Sequence, residues 1–380
     1  MAPASGGLVR HVGAFLQGWP PDGGAESRAP QPSATWAGPS RRQRLAVALA
    51  FGLLAGMATL FTIEERFLGA DFTYWWRAGR ALLAGENPYA TVVPMPRFPG
   101  YFVYPLPAAV VAIPFAPLPP REGAALFVAC GFALAAYGLS RDGWWRLGVL
   151  ISLPAFRIFE NAQWTPLLLG AALVPGWGWL LACKPTLGAA LFAWRPSRPA
   201  LLGVMAISLL ALLWLPTWPA EWLAIVRRNP EGTQYVPPVA LPGGILLLMA
   251  LLRWRRPEAR LVVAMACVPQ TFFFYDQLPL MLVPGTQLGI VAFAVWSHLL
   301  RAIAYVTVPG SLASAWYDSV VVRTQWLAPF ILWGLYAPAV AMLLRRPNEG
   351  GAPAWLERLL EAGRVPAWLR GRAPESAARR

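Results

Sequence analysis

Residues 45–63 hold 19 consecutive side chains without a charge. Wound as an α-helix they reach about 28 Å, enough to cross the hydrocarbon core of a bilayer. Further uncharged runs of spanning length occupy 98–120, 123–140, 161–183, 199–220, 232–252, 277–300 and 324–344, with shorter ones at 147–156, 185–194, 261–275 and 302–317. Composition explains why such runs recur. Of 380 residues, 57% are hydrophobic and 13% charged, against about a quarter charged in an average soluble domain. A chain this apolar, with mean hydropathy +0.47, has too little polar surface to cover a water-soluble globule. Its 20 Trp suit membrane–water interfaces. A soluble enzyme, a secreted disulfide scaffold and a disordered regulator are excluded. The runs predict an all-α polytopic membrane protein with about 8–12 transmembrane helices.

Residues 1–44 are rich in Gly, Pro and Ser and lack the apolar core of a signal peptide. They read as a disordered cytosolic tail ending in Arg41, Arg42 and Arg44. Residues 45–344 then form the membrane domain, with a first outer loop at 64–103, and 345–380 form a basic cytosolic tail. In that tail Trp355, Leu356, Leu359 and Leu360 share one face of a short surface helix. The positive-inside rule makes Arg195/Arg198, the arginines from Arg253 to Arg260, Arg301 and Arg345/Arg346 cytosolic anchors. Residues 221–231, Asp276 and Asp318 then fall on the outer face. Two cytosolic tails require an even number of crossings, and 161–194 is expected to break near Pro175-Gly176.

The net charge is +14 and the basic residues are not spread evenly: of 32 Lys and Arg, five precede residue 45 and eight lie from Arg345 onward. Such tails are drawn to anionic membrane lipid, and the apolar bulk argues against nucleic acid as a partner. Cys130, Cys183 and Cys267 sit in separate apolar runs, which predicts buried free thiols and no disulfide framework. No His/Cys/carboxylate cluster has metal-ligand spacing and no Gly-rich phosphate loop is present, so neither a metal nor another cofactor is expected.

The first outer loop is the most informative segment. Its stretch DFTYWWRAGRALLAG predicts a helix lying along the membrane surface. Asp71 suits the N-cap, Phe72, Trp75, Trp76, Leu82 and Leu83 supply an apolar surface, and Gly85 suits the stop. Asp71 has two readings, a structural cap or a carboxylate held at the surface as a general base. Glu64 and Glu65 simply mark the end of the first span. Arg77 and Arg80 either anchor the helix at the interface or neutralise a phosphate. Tyr74, in the same motif, joins Arg77 among the candidate substrate-binding residues.

Lys184 is the only lysine among the 32 Lys and Arg, and it stands between two apolar runs in LLACKPTLG. An ionisable group in a membrane domain is a candidate functional residue, and a compact ammonium suits a phosphate. The alternative is a lysine snorkelling from a helix end. Asn161 and Gln163, in FENAQWTPLLLG, either end a span or hydrogen-bond a polar substrate group. Tyr275-Asp276 lies between two apolar runs and is either loop punctuation or part of a site.

Five segments in order, DFTYWWRAGRALLAGENPYA, VYPLPAAVVAIPFAPLPP, NAQWTPLLLG, LACKPTLGAALF and YDQLPLMLVP, resemble the membrane glycosyltransferases of family 87. These are polyprenyl-phosphate-mannose-type enzymes of the GT-C fold. The chain departs from the family in three places. The usual Tyr-Pro-Pro is Tyr104-Pro105-Leu106-Pro107, the Gly-Gln pair is Ala162-Gln163, and Trp164 replaces a nearby Asn.

The resemblance implies a catalytic Asp in the first outer loop, matched by Asp71. It further implies a sugar, mannose first, transferred from a polyprenyl-phosphate donor to a lipid or glycan acceptor at the outer face of a bacterial plasma membrane. Asp71 would be the base, Lys184 and Arg77 would neutralise the leaving phosphate, and Asp276 would serve the acceptor or support the site. A secondary transporter or a lipid or glycan flippase is the alternative. An O-antigen polymerase or ligase would show a large late loop, and a scaffold gives no reason for ordered polar motifs.

Overall fold

The computed structural model describes residues 39–63, 71–95, 100–228, 235–270, 272–307 and 326–350. Most of both expected tails, including the surface helix around Trp355, lies outside these residues, as do Glu64, Glu65 and Asp318. The described chain is helical, with one isolated antiparallel bridge between Val236 and Gln270. The helices used below are α1 (Arg41–Thr62), α2 (Phe72–Leu83), α3 (Leu106–Ala112), α4 (Pro120–Leu139), α5 (Leu153–Asn161), α6 (Thr165–Leu173), α7 (Pro185–Trp194), α8 (Arg198–Trp214), α9 (Trp218–Arg228), α10 (Pro257–Cys267), α11 (Gln287–Thr307) and α12 (Ala337–Leu344). Tight 3₁₀ segments at Trp144–Ile151, Gly178–Cys183, Gly244–Arg253 and Phe274–Leu282 fill much of the remainder.

α1 begins inside the expected tail because Ser40 and Gln43 form a reciprocal capping box, Ser40 Oγ accepting from Gln43 N and Gln43 Oε1 from Ser40 N. It runs antiparallel to α4. At one end Arg44 donates to Tyr137 O at 2.6 Å, and at the other Arg121 Nε donates to Leu60 O at 3.1 Å. Gly52 and Gly56 permit the close approach. A Cβ on Gly52 would lie 2.7 Å from Ala129 O, and one on Gly56 3.1 Å from Ala125 O. This small-xxx-small pairing is a common way for helices to pack in lipid, where dispersion contacts between backbones replace the hydrophobic effect.

The outward faces identify the solvent. Leu49, Leu53, Leu54 and Phe61 on α1, Leu202, Leu209 and Leu213 on α8, and Leu288, Leu299 and Val306 on α11 are all exposed. Apolar stripes on so many helices belong against lipid, not water. The protein is a membrane protein.

Among the described residues, Arg41–Thr62, Pro120–Asp142 and Gln287–Thr307 are long and apolar enough to cross a bilayer. The pair α8 and α9, bent by 94°, would be a fourth. Several other expected spans are broken. Residues 161–183 split at Gly176, whose φ of +90° suits glycine, and α11 starts at Gln287, ten residues after the uncharged run opens. Proline and glycine divide the apolar runs into helices of roughly half a membrane's thickness. Pro185–Trp194 coincides with its uncharged run.

The thiols need correcting. Cys183 is buried, but Cys130 and Cys267 are exposed, because they sit on helix faces turned away from the bundle; all three are free.

Candidate active site

α2 is the amphipathic helix expected in the first loop. Phe72, Trp75, Trp76 and Leu82 are buried, whereas Leu83 is exposed. Gly85, at φ +73°, closes its C-terminal end. The buried face meets Phe127 of α4 and Trp164, with Trp75 lying 5.0 Å from Trp164 and 5.8 Å from Phe127 between ring centroids. This packing fixes where Asp71 emerges at the start of the helix.

Asp71 is not a side-chain cap. Its backbone is already helical, at φ −70° and ψ −34°, and its carboxylate makes no capping hydrogen bond. A capping residue needs extended backbone to fold its oxygen over the first amides. The carboxylate is turned instead into the protein, where Oδ2 accepts from Gln163 Nε2 and from the Tyr275 hydroxyl, the latter at 3.1 Å.

Both donors are delivered by backbone that L-residues rarely adopt. α5 ends at Ala162 in the left-handed region, φ +46° and ψ +53°, and the next residue is Gln163. A glycine here would take that conformation without strain. Phe272, φ +56°, precedes the 3₁₀ segment carrying Tyr275 and Asp276. These are the only non-glycine positive-φ residues among those described, and strained backbone of this kind collects at functional sites.

Lys184 stands at the joint between the Gly178–Cys183 turn and α7, held extended by the following Pro185. Its Nζ donates to Asp276 Oδ1 at 2.7 Å and lies 5.8 Å from the centre of the Tyr275 ring. Asp276 is buried and Lys184 half-buried. Tyr275 therefore joins two charged pieces, its hydroxyl on Asp71 and its ring facing the Lys184–Asp276 pair. Tyr74 lies one turn along α2, its backbone N–H donating to Asp71 O at 3.2 Å.

Asp71, Gln163, Tyr275, Asp276 and Lys184 are thus gathered into one cluster, with Tyr74 at its edge. Arg77 and Asn161 are not. Arg77 points along the other side of α2 and donates to Val93 O at 2.7 Å. Partial burial lowers its pKa, opposed by nearby Tyr74, and the guanidinium stays charged at neutral pH. Asn161 Nδ2 bonds Arg157 O within the last turn of α5, a helix-ending role.

The sequence reading missed the aromatic wall behind Asp71. Trp75, Tyr104 and Trp164 pack together, with Tyr104 5.0 Å from Trp75 and 6.3 Å from Trp164. The segment bearing Tyr104 is clamped from outside: Tyr89 donates to Tyr104 O at 3.0 Å and Trp222 of α9 to Val103 O at 2.9 Å. Trp75 Nε1, Trp164 Nε1, Gln163 Oε1 and Thr165 Oγ1 are buried here without a hydrogen-bond partner among the described residues. Buried polar atoms are normally paired, so four unpaired ones beside Asp71 set this region apart from an ordinary core. Among the described residues no group of three or more His, Cys, Asp or Glu could hold a metal ion.

Compared with family models, with curated proteins and with solved structures, the chain finds no match.

Proposed function

We propose that this protein is a membrane glycosyltransferase of the GT-C type. In this reading it moves a sugar, mannose first, from a polyprenyl-phosphate donor to a lipid or glycan acceptor at the outer face of a bacterial plasma membrane, with both tails cytosolic. The observation that carries the reading is the Asp71 carboxylate, gripped by Gln163 and Tyr275 beside the Lys184–Asp276 pair. Two donors aimed at a carboxylate favour its ionised form, the state a general base requires.

The chemistry needs few parts. Asp71 takes the proton of the acceptor hydroxyl as that oxygen attacks the anomeric carbon. The bond from that carbon to the donor phosphate oxygen breaks, its electron pair leaves with the phosphate, and the anomeric centre inverts. Lys184 neutralises the charge gathering on the phosphate, for which the phosphate competes with Asp276. Arg77 has no part in this step, because it lies across α2 from the cluster. The aromatic wall, fully buried at Trp75 and Trp164, holds Asp71 and Gln163 in place rather than touching the sugar.

The test is transfer of labelled mannose from polyprenyl-phosphate-mannose into lipid extract of the native membrane. Wild type is run beside Asp71→Asn, with folding of both verified. Transfer by wild type, reduced about 100-fold or more in the variant, is the expected result. Equal transfer by both would remove Asp71 from the chemistry. Silence from wild type with every polyprenyl-linked sugar tried would favour a transporter, in which Lys184 and Asp276 would exchange partners during the cycle.

A further inference from the structure

A second site lies across α2 from Asp71. A cavity of about 360 Å³ is lined by Trp76, Arg77, Arg80, Glu86, Thr91 and Val92, and none of the residues clustered around Asp71 reaches it. It is level with the end of the bundle where α1 finishes and α4 begins. Trp76 Nε1 donates to Leu118 O at 3.1 Å, two residues before α4, and Arg121 of α4 bonds Leu60 O near the end of α1. Helices that cross a bilayer end at the headgroups, so the cavity sits at headgroup depth.

Its chemistry is defined. The Trp76 indole is fixed by its own N–H, and the Arg80 guanidinium lies over its ring, 5.0 Å from the centroid. Stacking holds a guanidinium flat while leaving its N–H edge available. Among the described residues the Arg80 side chain makes no hydrogen bond or ion pair. Arg77 is braced in place, one of its bonds running to Val93 O. Two guanidiniums face one carboxylate, Glu86, which has no ion-pair partner among the described residues. Leu83, Val93 and Met95, neighbours in sequence of lining residues, are exposed apolar side chains.

We infer that this cavity binds the headgroup of a glycerophospholipid, with the phosphate on Arg77 and Arg80 and a hydrogen-bond donor of the headgroup, an ammonium or hydroxyl, on Glu86. The exposed apolar side chains take the start of the acyl chains. Cationic pocket, single acceptor and exposed apolar side chains match the three parts of such a lipid, and a soluble phosphate would leave the apolar side chains unused. The site is independent of the chemistry at Asp71.

The experiment uses the full chain in vesicles of pure phosphatidylcholine or an equal mixture with phosphatidylethanolamine. Both lipids are net neutral and both carry the phosphate, but only the ethanolamine headgroup donates hydrogen bonds. Phenylglyoxal labelling of single arginines is read by peptide mass spectrometry, with exposed Arg227 and Arg228 of α9 as internal controls. Labelling of Arg77 and Arg80 should fall about fivefold in the mixture, the protection given by a ligand at several times its dissociation constant. The controls should not change. In Glu86→Gln the difference between vesicles should disappear, and in Arg80→Gln protection at Arg77 should be lost. Equal labelling in both vesicles, protection that survives either substitution, or the same protection by soluble phosphoethanolamine in phosphatidylcholine vesicles would overturn the assignment.

Discussion

The Tyr275 hydroxyl donates to Asp71 Oδ2 at 3.1 Å across 204 residues of sequence. The same ring faces Lys184 Nζ at 5.8 Å. One side chain thus links the carboxylate proposed as the base to the cation proposed for the leaving phosphate, and its removal separates positioning from binding.

In Tyr275→Phe the ring stays and one donor to the carboxylate is lost. A hydrogen bond to the charged form resists protonation, so its loss makes Asp71 easier to protonate. Activity of a carboxylate base disappears as pH falls, and the acid limb of the pH–rate profile should move to higher pH. The turnover number should fall about tenfold or more, in line with the roughly 1.5–3 kcal/mol of a hydrogen bond to a charged group. An unmoved acid limb with lower activity would assign Tyr275 a structural role alone.

Lys184 and Asp276 are mostly buried, with side-chain exposures of 17% and 11%. Lys184→Met leaves a carboxylate buried without its cation and should cost about 3 kcal/mol in thermal unfolding in detergent. The double variant Lys184→Met/Asp276→Leu should recover most of that stability, since an apolar pair can replace a buried ion pair. Transfer should remain absent in both. Transfer restored in the double variant would show that the ammonium serves folding only.

Ala162 holds a left-handed conformation. Ala162→Gly relieves backbone strain but adds chain entropy and removes a buried methyl, so stability should stay within about 1 kcal/mol and activity should persist. Ala162→Val puts a β-branched residue where φ is positive and should cost about 2 kcal/mol, with loss of transfer as Gln163 moves off Asp71. Equal behaviour of the two variants in thermal unfolding and transfer would mean that the turn does not set the position of Gln163.

Gly52→Val drives a side chain into Ala129 O and should lower stability by about 2 kcal/mol through overpacking between α1 and α4. Leu53→Val, one residue along on the outward face, should change it by less than about 0.5 kcal/mol. Thermal unfolding of the two in one detergent makes the comparison.

The sequence by itself determined that the chain is a helical membrane protein, because the absence of charge over membrane-length runs is a property of composition and needs no tertiary information. It likewise located α2, whose spacing of Phe72, Trp75 and Trp76 with Gly85 at the end is local grammar, and the break at Gly176. The glycine pair of α1, Gly52 and Gly56, is a packing signal in the sequence, but only the close approach of α4 shows which helix it serves. How the apolar runs divide into half-length helices depends on which proline and glycine breaks the neighbouring helices accommodate.

Tertiary structure alone decided where the Asp71 carboxylate points. From local sequence an Asp opening a helix reads first as a cap, with an inward-facing carboxylate as the alternative. The choice rests on Gln163 and Tyr275, which arrive from distant segments. In the same way Lys184 found Asp276 across 92 residues, and Arg77 was carried to the opposite side of α2 from the cluster. Helical periodicity fixes which face a residue occupies, but only the packing of other helices determines what that face meets.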